Sequence, residues 1–177
     1  AATTLAQRVG AEYKPDPGLA KESRDLELPP WNKGRYGTAI GRAVHAVLQT
    51  VDLATGAGID DAAAAQSAAE GVLAHAAMIA ALARAAVDAP TVRAAAARPH
   101  WRETYVAVPL ADITVEGYVD LIYRDDDGLL TVVDYKTDAI GSDAELEARL
   151  AHYRVQGAAY AYAVAAATGI AVARCVF

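Results

Sequence analysis

Between residues 37 and 177 the spacing of apolar side chains changes period several times, and each change marks an element. In GTAIGRAVHAVLQTVDLATG, Ile40, Val44, Val47, Leu48 and Val51 recur at helical spacing behind Thr38, a candidate N-cap, and Gly56 and Gly58 close the segment. An alanine-rich helix is predicted from about Asp60 to Val87, stopped by Ala89-Pro90. Three strands follow. Tyr105 to Leu110 alternates around valines, Ile113 to Tyr123 is β-branched and aromatic, and Leu129 to Tyr135 is nearly all apolar. Ser142-Asp143-Ala144-Glu145 is a capping box opening a helix that lasts to Thr168. Gly169 stops it, and Ile170 to Phe177 reads as a last strand. Helices, three strands, helix, strand is the order of an α/β sandwich around one mixed sheet. Residues 1–36 show no sustained period and are punctuated by Lys14-Pro15-Asp16-Pro17-Gly18 and Leu28-Pro29-Pro30, which reads as an irregular arm or linker. The chain stops within its last predicted strand, as expected of a piece excised from a longer polypeptide.

Composition narrows the class. A length of 177 residues predicts one domain, residues 37–177, with a real core. Hydrophobic residues make up 54% of the chain, but much of that is alanine, which favours helices and buries little area. The apolar runs are broken well short of the roughly 18 residues that span a bilayer, and no signal peptide is evident, so a cytoplasmic protein without membrane partners is expected. The single cysteine, Cys175, excludes an internal disulfide, a multi-cysteine zinc site and an iron–sulfur cluster held by this chain alone. The net charge of −6 is the wrong sign for a stand-alone nucleic-acid binder. It is unevenly spread, however: Trp31 to His45 carries Lys33, Arg35 and Arg42 with no acid, which fits a locally basic lip around an acidic pocket.

The chemistry concentrates in GYVDLIYRDDDGLLTVVDYKTD. A three-residue loop, Asp126 to Gly128, with glycine left-handed, is a favoured way to close this hairpin. It pairs residues whose numbers sum to 254, so Asp120 faces Asp134, and Lys136 shares their side of the sheet. A four-residue loop would put the two aspartates on opposite faces. Opposed like charges destabilise a sheet, and a divalent metal is the natural occupant between two such acids. Such a metal beside a lysine suits phosphodiester hydrolysis: the lysine can orient the attacking water or stabilise the pentavalent transition state. Taken alone, the D-x13-D-x-K pattern equally describes a solvated hairpin edge with a Lys–Asp pair. Asp138 reads as a turn or cap residue.

Asp120 in GYVDLIY, Asp134 and Lys136 in VVDYKTD, Gly41 to His45 in GRAVH and Gln156 to Tyr160 in QGAAY together resemble the PD-(D/E)XK nuclease superfamily. The likeness is greatest to the RecB-type nuclease domain of bacterial helicase–nucleases (RecBCD, AddAB and AdnAB) and covers about Gly37 to Phe177. Val119 stands where the family name has proline, and no helicase motif is present. The resemblance implies a restriction-endonuclease-like sandwich, with a central mixed β-sheet flanked by helices. It implies Mg2+ or Mn2+ held by His45, Asp120, Asp134 and the backbone carbonyl of Tyr135, with Lys136 as the catalytic lysine. Gln156 and Tyr160, at i and i+4 on one helical face, would position the scissile strand or the catalytic residues. Glu103, where relatives carry a glutamate on the first strand, would assist the metal or its water.

Each side chain also has a structural reading: His45 and the Gln156–Tyr160 pair as core residues, Glu103 in a surface ion pair with Arg102, and Lys33, Arg35 and Arg42 as loop solvation rather than phosphate contacts. The resulting expectation is a Mg/Mn-dependent deoxyribonuclease with exonuclease-like behaviour. It would act on single-stranded or helicase-unwound DNA in double-strand-break processing and recombinational repair, with the motor in the parent chain or a partner subunit. The alternative is a non-cleaving nuclease-fold module that binds DNA ends or docks a helicase partner. A site-specific endonuclease is a third, weaker option.

Overall fold

The computed structural model describes residues 38–177. The arm expected over residues 1–36, with Lys33 and Arg35, lies outside the described residues. The described chain divides into two compact units, residues 38–87 and residues 88–177.

In the first unit, α1 spans Ala39–Thr50, and Thr38 caps it by accepting the Gly41 N–H on Oγ1 at 3.0 Å. The predicted stripe is buried: Val44, Val47, Leu48 and Val51 face inward with Ala43. Helix α1 ends before the glycines, because Asp52 accepts the N–H groups of Ala54 and Thr55 and turns the chain. The single helix expected over 60–87 is instead two, α2 at Ile59–Ala69 and α3 at Ala76–Asp88, with a 3-10 turn at Leu73–His75 between them. Gly71 causes the break. It adopts φ +71° and donates to Ala68 O while Val72 N donates to Ser67 O, the paired bonds of a Schellman stop. An all-alanine face carries no periodic signal across such a break, so the pattern reads as continuous.

In the second unit, Pro90 does more than end a helix. It occupies the first turn of α4, Pro90–Ala96, where its missing N–H is harmless. Strands β1 (His100–Leu110), β2 (Ile113–Arg124) and β3 (Leu130–Val133) form an antiparallel meander. Helix α5, Asp143–Thr168, crosses over to β4, Val172–Val176, which joins β3 in parallel. The sheet order β1-β2-β3-β4 is therefore mixed, with helices packed on it, in agreement with the α/β fold expected. Ser142 Oγ accepts the Glu145 N–H, the Glu145 carboxylate accepts the Gly141 N–H, and Gly169 at φ +71° ends the helix, so both predicted ends of α5 hold. Val106, Val108, Val115, Val119, Ile122 and Val132 form a core with Ala159, Tyr160, Ala163 and Val164 of α5. No single described helix is long and apolar enough to cross a membrane.

Candidate active site

The β2–β3 turn sets the geometry. Leu121 pairs with Val133, Ile122 with Val132, Tyr123 with Thr131 and Arg124 with Leu130, each pair summing to 254. Gly128 takes φ +82° and donates to Asp125 O, closing the three-residue loop that this register requires. One further step sets Asp134 opposite Asp120, and both are buried, at 4% and 7% exposure. The ladder ends at that step. Asp134 N still donates to Val176 O, but the Tyr135 N–H is taken by the Asp120 carboxylate at 2.7 Å. Strand β3 is therefore shorter than its apolar run, because an acidic side chain replaces a strand partner.

The β1–β2 ladder adds a third acid. Arg102 pairs with Leu121 and Thr104 with Val119, which sets the intervening Glu103 opposite Asp120. Glu103 is half-buried and holds φ 47°, a left-handed conformation that is costly for a residue with a Cβ. One of its carboxylate oxygens lies within 4.8 Å of one from Asp120. Glu103 on β1 and Asp120 on β2 thus stand side by side, with Asp134 one residue past the end of β3.

Two tyrosines register this concentration of negative charge. Burial pushes the Tyr135 phenol well above its ordinary range, and Asp120 and Glu103 push it further while Arg102 opposes them. Burial likewise raises the Tyr160 phenol, with Asp134, Asp120 and Glu103 adding to it and the hydrogen bond from Gln156 opposing.

Lys136 is ion-paired to Asp134 and donates to Gln156 Oε1 at 3.1 Å. Gln156 passes the network on through Nε2 to the Tyr160 hydroxyl at 3.1 Å, as the i, i+4 spacing on α5 allows. The second unit therefore brings together Glu103, Asp120, Asp134, Tyr135, Lys136, Gln156 and Tyr160. His45 and Arg42 belong to the first unit, on α1. There the Arg42 guanidinium pairs with Glu70 at 2.8 Å.

Beside Lys136 stand two residues given no role from their sequence pattern, Tyr153 and Phe177, and a third, Asp138, read only as a turn or cap. The Lys136 ammonium lies over the Tyr153 ring, Phe177 stacks on that ring, and Asp138 accepts the Tyr153 hydroxyl. The signal for Tyr153 was in the spacing: 153, 156 and 160 follow i, i+3, i+7 on one face of α5.

Buried Asp120 and half-buried Glu103, with carboxylate oxygens within 4.8 Å of each other, offer the hard oxygen donors that a divalent cation takes, and these two residues fit such an ion. A family model for the PD-(D/E)XK nuclease superfamily matches residues 21–175, and the chain belongs to that superfamily. Its members are nucleases that act on DNA with divalent metals. A search of curated proteins finds no significant match.

Proposed function

We propose that this member of the superfamily is a RecB-type deoxyribonuclease domain that hydrolyses phosphodiester bonds of single-stranded or helicase-unwound DNA with Mg2+ or Mn2+. The observation that carries the reading is the hairpin register that sets Asp120 against Asp134, with Lys136 two residues further on. Asp120, Asp134 and the Tyr135 carbonyl are the metal-holding groups, and Glu103 assists them. His45 completes the set on the strength of its GRAVH motif. When bound, the cation supplies charge neutralisation at a non-bridging phosphate oxygen and acidifies the attacking water.

The chain's own groups do the rest. Lys136 presents its ammonium to the attacking water and to the charge that develops in the transition state. Gln156 fixes that ammonium from α5, and Tyr160 fixes Gln156. Burial of the aspartates lowers the local dielectric response and strengthens each of these interactions. Lys33, Arg35 and Arg42 are proposed phosphate contacts, and a helicase motor in the parent chain or a partner subunit delivers the strand during cytoplasmic double-strand-break repair. Exonuclease-like digestion follows from such threading.

The test uses an end-labelled single-stranded oligonucleotide with Mg2+ or Mn2+. Wild-type protein shortens it, whereas Asp134→Ala and Lys136→Ala do not. Cleavage that survives excess chelator rules out the metal mechanism. Metal binding without turnover in the wild type selects the non-cleaving module instead.

A further inference from the structure

Lysine is a poor choice for a fixed catalytic group unless something fixes it. Its ammonium rides on a flexible four-carbon stem, and holding it in one place costs rotamer entropy. At Lys136 the holders are unequal in kind. Asp134 is an anion, and a divalent cation engaged by Asp134 weakens its hold on the ammonium and repels it. Gln156 Oε1 and the aromatic face are neutral holders that such a cation leaves in place. Lys136 Nζ stands 4.5 Å from the Tyr153 ring centroid and 5.8 Å from that of Phe177. Those rings stack on each other, with centroids 5.3 Å apart and planes inclined by 21°.

The seat is itself held from two sides. The Tyr153 hydroxyl donates to the Asp138 carboxylate, which also faces Arg149 Nε at 3.9 Å. Donation to a carboxylate leaves the phenol ring richer in electron density, which strengthens its attraction for a cation. Phe177 reaches the ring because position 157 is glycine: a Cβ there would stand 3.0 Å from Phe177 Cζ and 3.3 Å from Cys175 Cβ. QGAAY therefore contributes a close approach at Gly157 as well as its glutamine and tyrosine.

We propose that Tyr153, backed by Phe177 and oriented by Asp138, is the positioning residue that holds the Lys136 ammonium beside the carboxylates. This rests on the reading of Lys136 as the catalytic lysine. Tyr153 touches no reacting atom in this scheme. It acts by keeping the ammonium where the attacking water and the developing charge need it, so its loss lowers kcat and leaves KM and metal affinity in place.

The chain has four lysines, at 14, 21, 33 and 136, so a protein labelled with 13C-lysine gives a spectrum simple enough to assign. In the metal-free wild type, the Lys136 Hε protons should resonate upfield through the ring current and show Overhauser contacts to the Tyr153 ring. The upfield shift should vanish in Tyr153→Leu and persist in Tyr153→Phe. In Mn2+-supported cleavage, Tyr153→Leu should lose about tenfold in kcat, and Tyr153→Phe should recover most of it. A Lys136 signal at the ordinary lysine position, without those contacts, overturns the seat in the wild type alone, even if Tyr153→Leu does not fold. An undiminished kcat in Tyr153→Leu, or equal losses in the leucine and phenylalanine variants, overturns the role of the ring. A wild type that shows the upfield signal but does not cut removes the catalytic reading of Lys136 and keeps the aromatic seat, so the two failures are distinct.

Discussion

Replacing Asp120 by asparagine should stabilise the metal-free protein and abolish its stabilisation by metal. Asp120 is the middle acid of the row, opposite Glu103 on one side and Asp134 on the other. One oxygen pair between Asp120 and Glu103 lies within 4.8 Å. At the effective dielectric response of partly solvated sites, two unit charges at that separation repel by about 3 kcal/mol. Glu103 is half-exposed, so solvent screening reduces this to about 1–2 kcal/mol. Asparagine keeps an oxygen to accept the Tyr135 N–H, but the bond changes from charge-assisted to neutral, a loss of about 1 kcal/mol. The balance in the metal-free protein is a gain of up to about 1 kcal/mol, or roughly 2–4 °C in Tm for a chain of this size. Metal reverses the order. At a hundred times Kd, Mn2+ should stabilise the wild type by about 2.7 kcal/mol, while the variant gains little. Scanning calorimetry in chelator and then in Mn2+ reads both effects. A variant that melts well below the wild type in chelator and keeps the full Mn2+ shift refutes the convergence of these carboxylates on one ion.

Lys136→Ala should reduce cleavage by about 10²–10³-fold, since it removes a positioned cation that stabilises the charge developing in the transition state. In the same variant, calorimetric titration should show tighter metal binding, because the ammonium no longer competes for Asp134. Gly157→Ala should lower stability by about 1–3 kcal/mol, read in a urea melt, because the new Cβ meets Phe177 and Cys175. Gly141→Ala, whose Cβ would meet only the Glu145 carboxylate at 3.4 Å, should be close to neutral in the same melt. Tyr135 and Tyr160 should remain protonated in an alkaline ultraviolet titration after exposed tyrosines have ionised, since burial and nearby acids raise both. Their folded-state values lie above the unfolded ones. The associated stability is therefore complete below about pH 10 and is lost as pH rises, when the unfolded chain ionises first.

The hairpin was legible because its turn chemistry and strand period are both local. Asp126 to Gly128 fixes the loop length, the loop length fixes the register, and the register sets Asp120 against Asp134. The caps of α1 and α5 were legible for the same reason. Two features were hidden by the absence of contrast. The break at Gly71 falls in an alanine-rich segment, where no clear stripe exists to go out of phase. Strand β1 begins at His100 rather than Tyr105, because His100 to Thr104 lacks the apolar alternation that marks the rest of the strand. Glu103 falls in this unmarked stretch. Its alignment with Asp120 depends on the β1–β2 pairing, and its left-handed backbone on that pairing too, neither of which its neighbours in the chain specify.

Backbone strain at Glu103 and repulsion among the neighbouring acids carry a common implication. A fold selected for stability alone would not set three carboxylates abreast, bury two of them and give the third a left-handed backbone. Each feature is unfavourable in the metal-free chain; a shared divalent cation would relieve the repulsion and offset the backbone strain. The surrounding structure bears these costs with ordinary means: a valine-rich sheet face against α5, a tight turn at Gly128 and a well-capped helix. Lys136 completes the pattern. Its ammonium partly neutralises Asp134 while Gln156 and an aromatic face also hold it, so the proposed catalytic group also relieves the charge that the site accumulates. Charge stored where the fold gains least from it is the signature of a site shaped by its ligand.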